Sequence, residues 1–293
     1  MSQTLRGHKS STLLKARKYP KLQPLENKAV MITGAGRGIG KRLAIGFAAA
    51  GARVGLVARS KPELELTKLE IEHSGGSAWH LRADVTDADA VRSAADRFRA
   101  HAGEIDVLIC AAAVQGPIGP LLETGVKAWA ETVATNLNGV MHSIAAVLPG
   151  MIKRRSGKII VLSGGGSDRP RPNFTAYAAS KAGVVRLAEC LAAELNGQNI
   201  QVNCMSPGGA YTHMTDEILR AGEKAGWREI EDSQRIRISG GEPAEKQIQL
   251  ALFLASERSN HINGRFLHVN DDWRKLENVN LNPDAFTLRR QIK

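Results

Sequence analysis

Tyr177 and Lys181 stand four residues apart, a spacing that projects both side chains from one face of a helix. A phenol has an ordinary pKa of about 10 and is a poor acid–base group near neutrality, but a neighbouring ammonium favours its ionised form. The pair therefore suits proton transfer to or from a substrate oxygen. A second chemical pattern is Thr33-Gly34-Ala35-Gly36-Arg37-Gly38-Ile39-Gly40. Glycines here let backbone approach a pyrophosphate, and free N–H groups at a following helix start receive its charge. The spacing of Gly34, Gly38 and Gly40 is G-x-x-x-G-x-G, not the G-x-G-x-x-G of the simpler dinucleotide turn. Roughly twenty residues on, an acid would serve the ribose hydroxyls of NAD. The chain reads Val57-Ala58-Arg59-Ser60 there. The guanidinium of Arg59, with Arg37 inside the cradle, suits a 2′-phosphate instead. The expected cofactor is NADP(H).

The elements that must position these groups follow from hydrophobic patterning. Short apolar runs occur at 29–33, 53–57, 78–81, 107–110, 158–162, 200–204 and 266–269. Helical periodicity occupies 41–50 and the segments near 62–73, 87–102, 123–154, 176–196 and 243–255. Strands separated by helices of this length imply crossover connections. The expected fold is α/β: a Rossmann-like, doubly wound three-layer domain with a mainly parallel central sheet. Residues 26–270 form that single domain, with a basic extension at 1–25 and a second extension at 271–293.

Further motifs occur in order: Asp84-Val85 after the third strand, Asn136 in Ala-Thr-Asn-Leu-Asn-Gly, Tyr177-Ala-Ala-Ser-Lys181, and Pro207-Gly208 leading to Thr212. With these the chain, from about Leu25 to Val269, resembles the short-chain dehydrogenase/reductase family. The resemblance implies an oxidoreductase that interconverts a carbonyl and a secondary alcohol by hydride transfer, with Tyr177 as general acid/base. It implies that Lys181 holds the nicotinamide ribose and that Asn136 supports a water in a proton relay beneath Lys181. Gly34, Arg37, Gly38, Ile39, Gly40 and Arg59 would line the phosphate end. Asp84 and Val85 would border the adenine, and Pro207, Gly208, Ala210 and Thr212 the nicotinamide end. Two alternatives use the same cofactor site: a non-catalytic or regulatory NADP(H)-binding protein, and an epimerase or dehydratase.

The chain departs from the family pattern at three places. The family's serine, thirteen residues before the tyrosine, is Gly164 here, in Ser163-Gly164-Gly165-Gly166-Ser167. Ser163 is the candidate stand-in, Ser167 another, and a backbone N–H of the glycine run a third. The usual Asn-Asn-Ala-Gly after the fourth strand is Cys110-Ala111-Ala112-Ala113, so side-chain amide links are lost there. Cys110 reads as a small buried filler. The last strand leads into Asn270-Asp271-Asp272-Trp273 instead of a Gly-Gly pair. Arg169 and Arg171, near the mouth of the site, are either anchors for an anionic substrate group or solvated loop residues. Residues 211–240 read as a polar, mobile segment over the substrate.

Composition excludes several other classes. The chain has 293 residues, 43% hydrophobic and 24% charged, which rules out wholesale disorder. Its three cysteines lack C-x-x-C spacing, which argues against disulfide or metal frameworks and suits a reducing, cytoplasmic setting. The net charge of +11 is concentrated at the ends, +5 on residues 1–27 and +3 on 274–293. No membrane or nucleic-acid partner is therefore expected, although the basic N-terminus also fits an organellar transit peptide. The expected partners are a small-molecule carbonyl or alcohol and further copies of the chain, as a homodimer or homotetramer.

Overall fold

Strands covered on both faces are buried along their whole length, and four runs meet that condition. β1 (Ala29–Thr33), β4 (Val107–Cys110), β5 (Gly157–Leu162) and β6 (Ile200–Ser206) are buried at every residue. With β2 (Arg53–Ala58), β3 (Ser77–Arg82) and β7 (Phe266–His268) they form one seven-stranded sheet in the order β3-β2-β1-β4-β5-β6-β7. Every ladder is parallel. The computed structural model describes residues 25–289. All of the basic N-terminal extension except Leu25, and with it the transit-peptide reading, lies outside the described residues.

Successive residues on a strand face opposite sides, so each strand feeds two cores. On β1, Val30 and Ile32 join Leu43 and Phe47 of α1 (Gly38–Ala49) and Phe253 of α9 (Ala244–Ala255). Ala29 and Met31 join Phe98 of α3 (Ala88–Ala102), Ile144 of α5 (Gly139–Arg154) and Val184 of α6 (Thr175–Glu194). The strand order reverses between β1 and β4, and the crevice at the carboxyl ends of such neighbours is where ligands bind in doubly wound sheets.

Helix starts follow local chemistry. Ser60 Oγ accepts from the Glu63 N–H at the head of α2 (Lys61–His73), and Asp87 accepts from Asp89 and Ala90 at the head of α3. The residue preceding α1 is Arg37, which provides no such acceptor, so the first N–H groups of α1 have no side-chain cap.

Two sequence expectations are corrected. The single helix expected near 123–154 is α4 (Val126–Val133), a π-helical turn at Ala134–Asn138, and α5. The widened turn inserts Asn136, fully buried, toward the sheet, as π-bulges often do near functional sites. The polar segment over 211–240 is not a loop: it folds as α7 (His213–Ala221) and α8 (Trp227–Ser239).

The chain after β7 packs back onto the same body. Trp273 is buried with its ring 4.9 Å from that of Phe253. The Phe266 N–H donates to Phe286 O at 2.7 Å, and the Leu288 N–H to Glu189 Oε1 on α6 at 2.8 Å.

Candidate active site

The carboxyl ends of β1, β4, β5 and β6 open into one cleft of about 1920 Å³. Every cofactor-site residue named from the sequence lines it, from Gly34 and Arg37 at one end to Tyr177, Lys181 and Thr212 at the other. Asn136, named for a relay and not for cofactor contact, sits behind the wall.

The cradle end is built by close approach of backbones. A Cβ on Gly34 would lie 2.7 Å from Ala112 Cα, and one on Gly40 would lie 2.2 Å from Gly34 O. No side chain fits at either place, and what remains is a backbone surface ahead of the uncapped start of α1. A dinucleotide pyrophosphate fits that arrangement of N–H groups and bare backbone. Gly38 takes a positive φ of 57°. A Cβ added there would lie 3.5 Å from Thr212 Cγ2, so the cradle and the start of α7 meet.

The lost amides after β4 are replaced by other groups. Thr33 Oγ1 accepts from the N–H groups of Ala111 and Ala112, at 3.2 and 3.3 Å. Asn136 clamps Val114 on both sides, its Oδ1 accepting from Val114 N–H at 2.8 Å and its Nδ2 donating to Val114 O at 2.9 Å. Its second amide hydrogen reaches Ser180 Oγ at 3.1 Å. Both amide hydrogens of Asn136 are thus engaged, one holding the 111–114 stretch and one reaching α6.

The arginines named for a 2′-phosphate are more than half exposed at the cleft rim. Arg37 lies 3.7 Å from Glu63 and Arg59 lies 3.8 Å from Asp84. Exposed pairs of this kind contribute roughly 0–1 kcal/mol, so either arginine can exchange its carboxylate for a phosphate at small cost. Sequence reasoning missed Glu63. Its signal was the Ser60-x-x-Glu63 pattern, which marks the start of α2 and therefore the rim of the cleft.

Tyr177 and Lys181 share one face of α6, with Lys181 Nζ 5.7 Å from the centre of the Tyr177 ring. Both are buried. Lys181 Nζ donates to Leu162 O at the end of β5 at 2.8 Å, and burial lowers its pKa to about 8. The thiols of Cys110 and Cys204 flank it. Burial holds both protonated, pushing Cys110 up to about 12, so they fill space beside the ammonium.

The electrostatics of Tyr177 differ from the sequence expectation. Burial raises the phenol above its ordinary value; the opposing charge is Arg171, and Glu229 adds to the rise. Arg171 is not free to anchor an anionic substrate, because Nε and Nη2 donate to the two carboxylate oxygens of Glu229 at 2.8 and 2.6 Å. Arg169 is exposed, 3.9 Å from Asp168.

The place of the family's serine lies against the phenol: a Cβ on Gly164 would stand 2.7 Å from Tyr177 Oη. Ser163, the expected stand-in, donates its hydroxyl to Lys181 O at 3.2 Å, and Ser167 donates to Gly164 O at 2.8 Å. In this arrangement the single hydrogen of each hydroxyl is directed to a backbone carbonyl. Among the described residues, the N–H groups of Gly164, Gly165 and Gly166 have no acceptor. No cluster of three or more potential metal ligands and no helix long and apolar enough to cross a membrane occurs among the described residues.

A family model described as short chain dehydrogenase matches residues 28–222. The chain belongs to the short-chain dehydrogenase family. A 3-oxoacyl-(acyl-carrier-protein) reductase FabG of Thermotoga maritima is 36% identical over 245 residues, covering 84% of this chain and 97% of that relative. A gluconate 5-dehydrogenase from Burkholderia cenocepacia, solved in complex with NADP and tartrate, is 31% identical with a TM-score of 0.74, covering 83% and 94% of the two chains. An NAD+-bound xylitol dehydrogenase is 25% identical with a TM-score of 0.77, covering 83% and 98%.

Proposed function

We propose that this short-chain dehydrogenase is an NADP(H)-dependent oxidoreductase interconverting a carbonyl and a secondary alcohol, with Tyr177 as general acid/base. The observation that carries the reading is the buried Tyr177–Lys181 face of α6 opening onto the same cleft as the glycine cradle. When bound, NADPH supplies the hydride. Tyr177, whose phenol burial keeps protonated, donates its proton to the substrate oxygen as the carbonyl is reduced, and accepts it in the reverse direction. Lys181, held by Leu162 O, turns its remaining hydrogens toward the ribose hydroxyls. Backbone N–H groups of Gly164–Gly166 take the place of the missing serine as donors to the developing oxyanion. Asn136 and Thr33 keep the 111–114 wall flat beneath the nicotinamide.

The cofactor choice rests on Arg37 and Arg59, since the similar solved structures include both an NADP and an NAD+ complex. Arg59→Asp is expected to weaken NADPH binding by about tenfold or more while leaving NADH within about threefold. Equal losses by isothermal titration overturn the choice. The reaction is tested by following NADPH oxidation against a panel of sugar, acyl and polyketide-like carbonyls. Tyr177→Phe is expected to lower kcat by roughly 10²–10⁴ with NADPH affinity retained. Tight NADPH binding with no turnover on any member of the panel would instead favour a non-catalytic binding protein.

A further inference from the structure

The substrate side of the cleft is closed by α7 and α8, which reach the catalytic helix through a small apolar cluster of their own. Phe174, Tyr177, Ile218 and Ala225 form it, with Met214 and Ile230 packed against them. Beside that cluster lies the bidentate pair between Arg171, in the β5–α6 loop, and Glu229 on α8. Its side chains are only 14% and 26% exposed. The Arg171 guanidinium sits 4.0 Å over the Phe174 ring and 5.4 Å from the centre of the Tyr177 ring. Its stem packs on the glycine turn, where a Cβ on Gly166 would come within 3.1 Å of Arg171 Cβ. One arginine thus meets the glycine turn with its stem, and with its guanidinium the Phe174 ring and the Glu229 carboxylate of α8.

We propose that the Arg171–Glu229 pair is a positioning device that bridges the β5–α6 loop to α8 and sets the proton affinity of Tyr177 through its two opposed charges. This rests on the reading of Tyr177 as the proton donor. A guanidinium beside a phenol favours the phenolate. Glu229, paired to it at hydrogen-bond distance, cancels much of that field. The apolar cluster keeps α8 in place, so loss of the Glu229 charge alone favours loss of the proton and loss of the Arg171 charge alone favours its retention. The pair acts in this direction on the phenol: Arg171 lowers its pKa and Glu229 raises it, against the larger rise from burial.

The other groups around Tyr177 leave this role to the pair. From α6 itself comes Lys181, 5.7 Å from the ring centre, whose field is present in the parent and in both variants alike. The thiols of Cys110 on β4 and Cys204 on β6 face Lys181 and are neutral. From α7 come Ile218 and Met214, which do not titrate, and the His213–Glu217 pair lines the same cleft. On the loop, Arg169 is 83% exposed, and its field is screened by solvent.

The chain contains three tyrosines, Tyr19, Tyr177 and Tyr211. Alkaline titration of phenolate absorbance in the full-length protein, subtracting the curve of the matching Tyr177→Phe variant, isolates Tyr177. Glu229→Gln is expected to lower its midpoint by about one pH unit, and Arg171→Met to raise it by a similar amount. Opposite signs from the two halves of one ion pair are the signature. A merely mechanical latch loosens the lid in both variants, so shifts in the same direction, or none, overturn the proposal. If circular dichroism shows Arg171→Met unfolded, Arg171→Gln carries the same expected rise. Turnover by Tyr177→Phe reports on the acid/base role separately, so a null titration removes the pair's role and leaves that reading standing.

Discussion

The two ends of the cleft are built by different means. At the cradle end, Gly34, Gly40 and Ala112 meet backbone to backbone, over strands whose side chains are buried in the two main cores. At the substrate end, the turn at Gly164–Gly166 and helices α7 and α8 rest on a four-residue cluster and one ion pair. A site made of backbone tolerates almost no added atom, whereas a site made of a few side-chain contacts can be retuned by single charges. Within one fold, the cofactor end is therefore rigid by exclusion and the substrate end adjustable by electrostatics.

Three substitutions probe that contrast, in order of expected effect. Gly40→Ala places a methyl 2.2 Å from Gly34 O, with only backbone available to yield. NADPH affinity is expected to fall by roughly 10- to 100-fold with the fold retained, measured by fluorescence titration; an unchanged affinity would break the idea of a backbone-built cradle. Gly164→Ser restores the family's hydroxyl, yet its Cβ would stand 2.7 Å from Tyr177 Oη. Turnover is expected to drop by about tenfold, since the phenol must move. A rise in kcat would mean that the turn yields and that the serine was missed after all.

The smallest effect concerns stability. Lys181 has a folded pKa of about 8, below the ordinary lysine value of 10.5, because its ammonium is buried. Between those values the unfolded chain holds the proton that the folded chain has released, so this group's contribution to stability rises with pH across the window from 8 to 10.5. Below pH 8 the buried ammonium is a net cost. Lys181→Met is thus expected to be more stable than the parent by about 1 kcal/mol at pH 7, after the loss of the bond to Leu162 O. That gain should fade as the pH rises toward 10.5, in chemical denaturation at several pH values. A gain independent of pH would show that packing, not charge burial, is responsible.

The unequal legibility of the two ends follows from the same contrast. The glycine spacing, the Tyr177–Lys181 interval and the seven apolar runs are local patterns, and local patterns survive in a sequence because period and backbone freedom act over a few residues. The parallel sheet, family membership and the lining of the cleft were all readable from them. The clamp that Asn136 places on Val114 was not readable, because a π-helical turn leaves no signature in apolar spacing and only the turn decides which way the amide points. The partner of Ser163 was unreadable for a related reason: a serine beside the expected position is equivalent in sequence, and only the fold brings Lys181 O within reach of its hydroxyl.

What the sequence determined by itself is the alternation of strands and helices, the phosphate cradle and the Tyr177–Lys181 pair, since each is carried by local patterns. The tertiary structure alone decided which charges face the Tyr177 phenol. Arg171 and Glu229 lie 58 residues apart, and neither carries a motif. Their pairing beside Tyr177 exists only because α8 folds back over the β5–α6 loop. Electrostatics depends on distance in space, and chain distance says almost nothing about it once the sheet has brought remote loops to one edge.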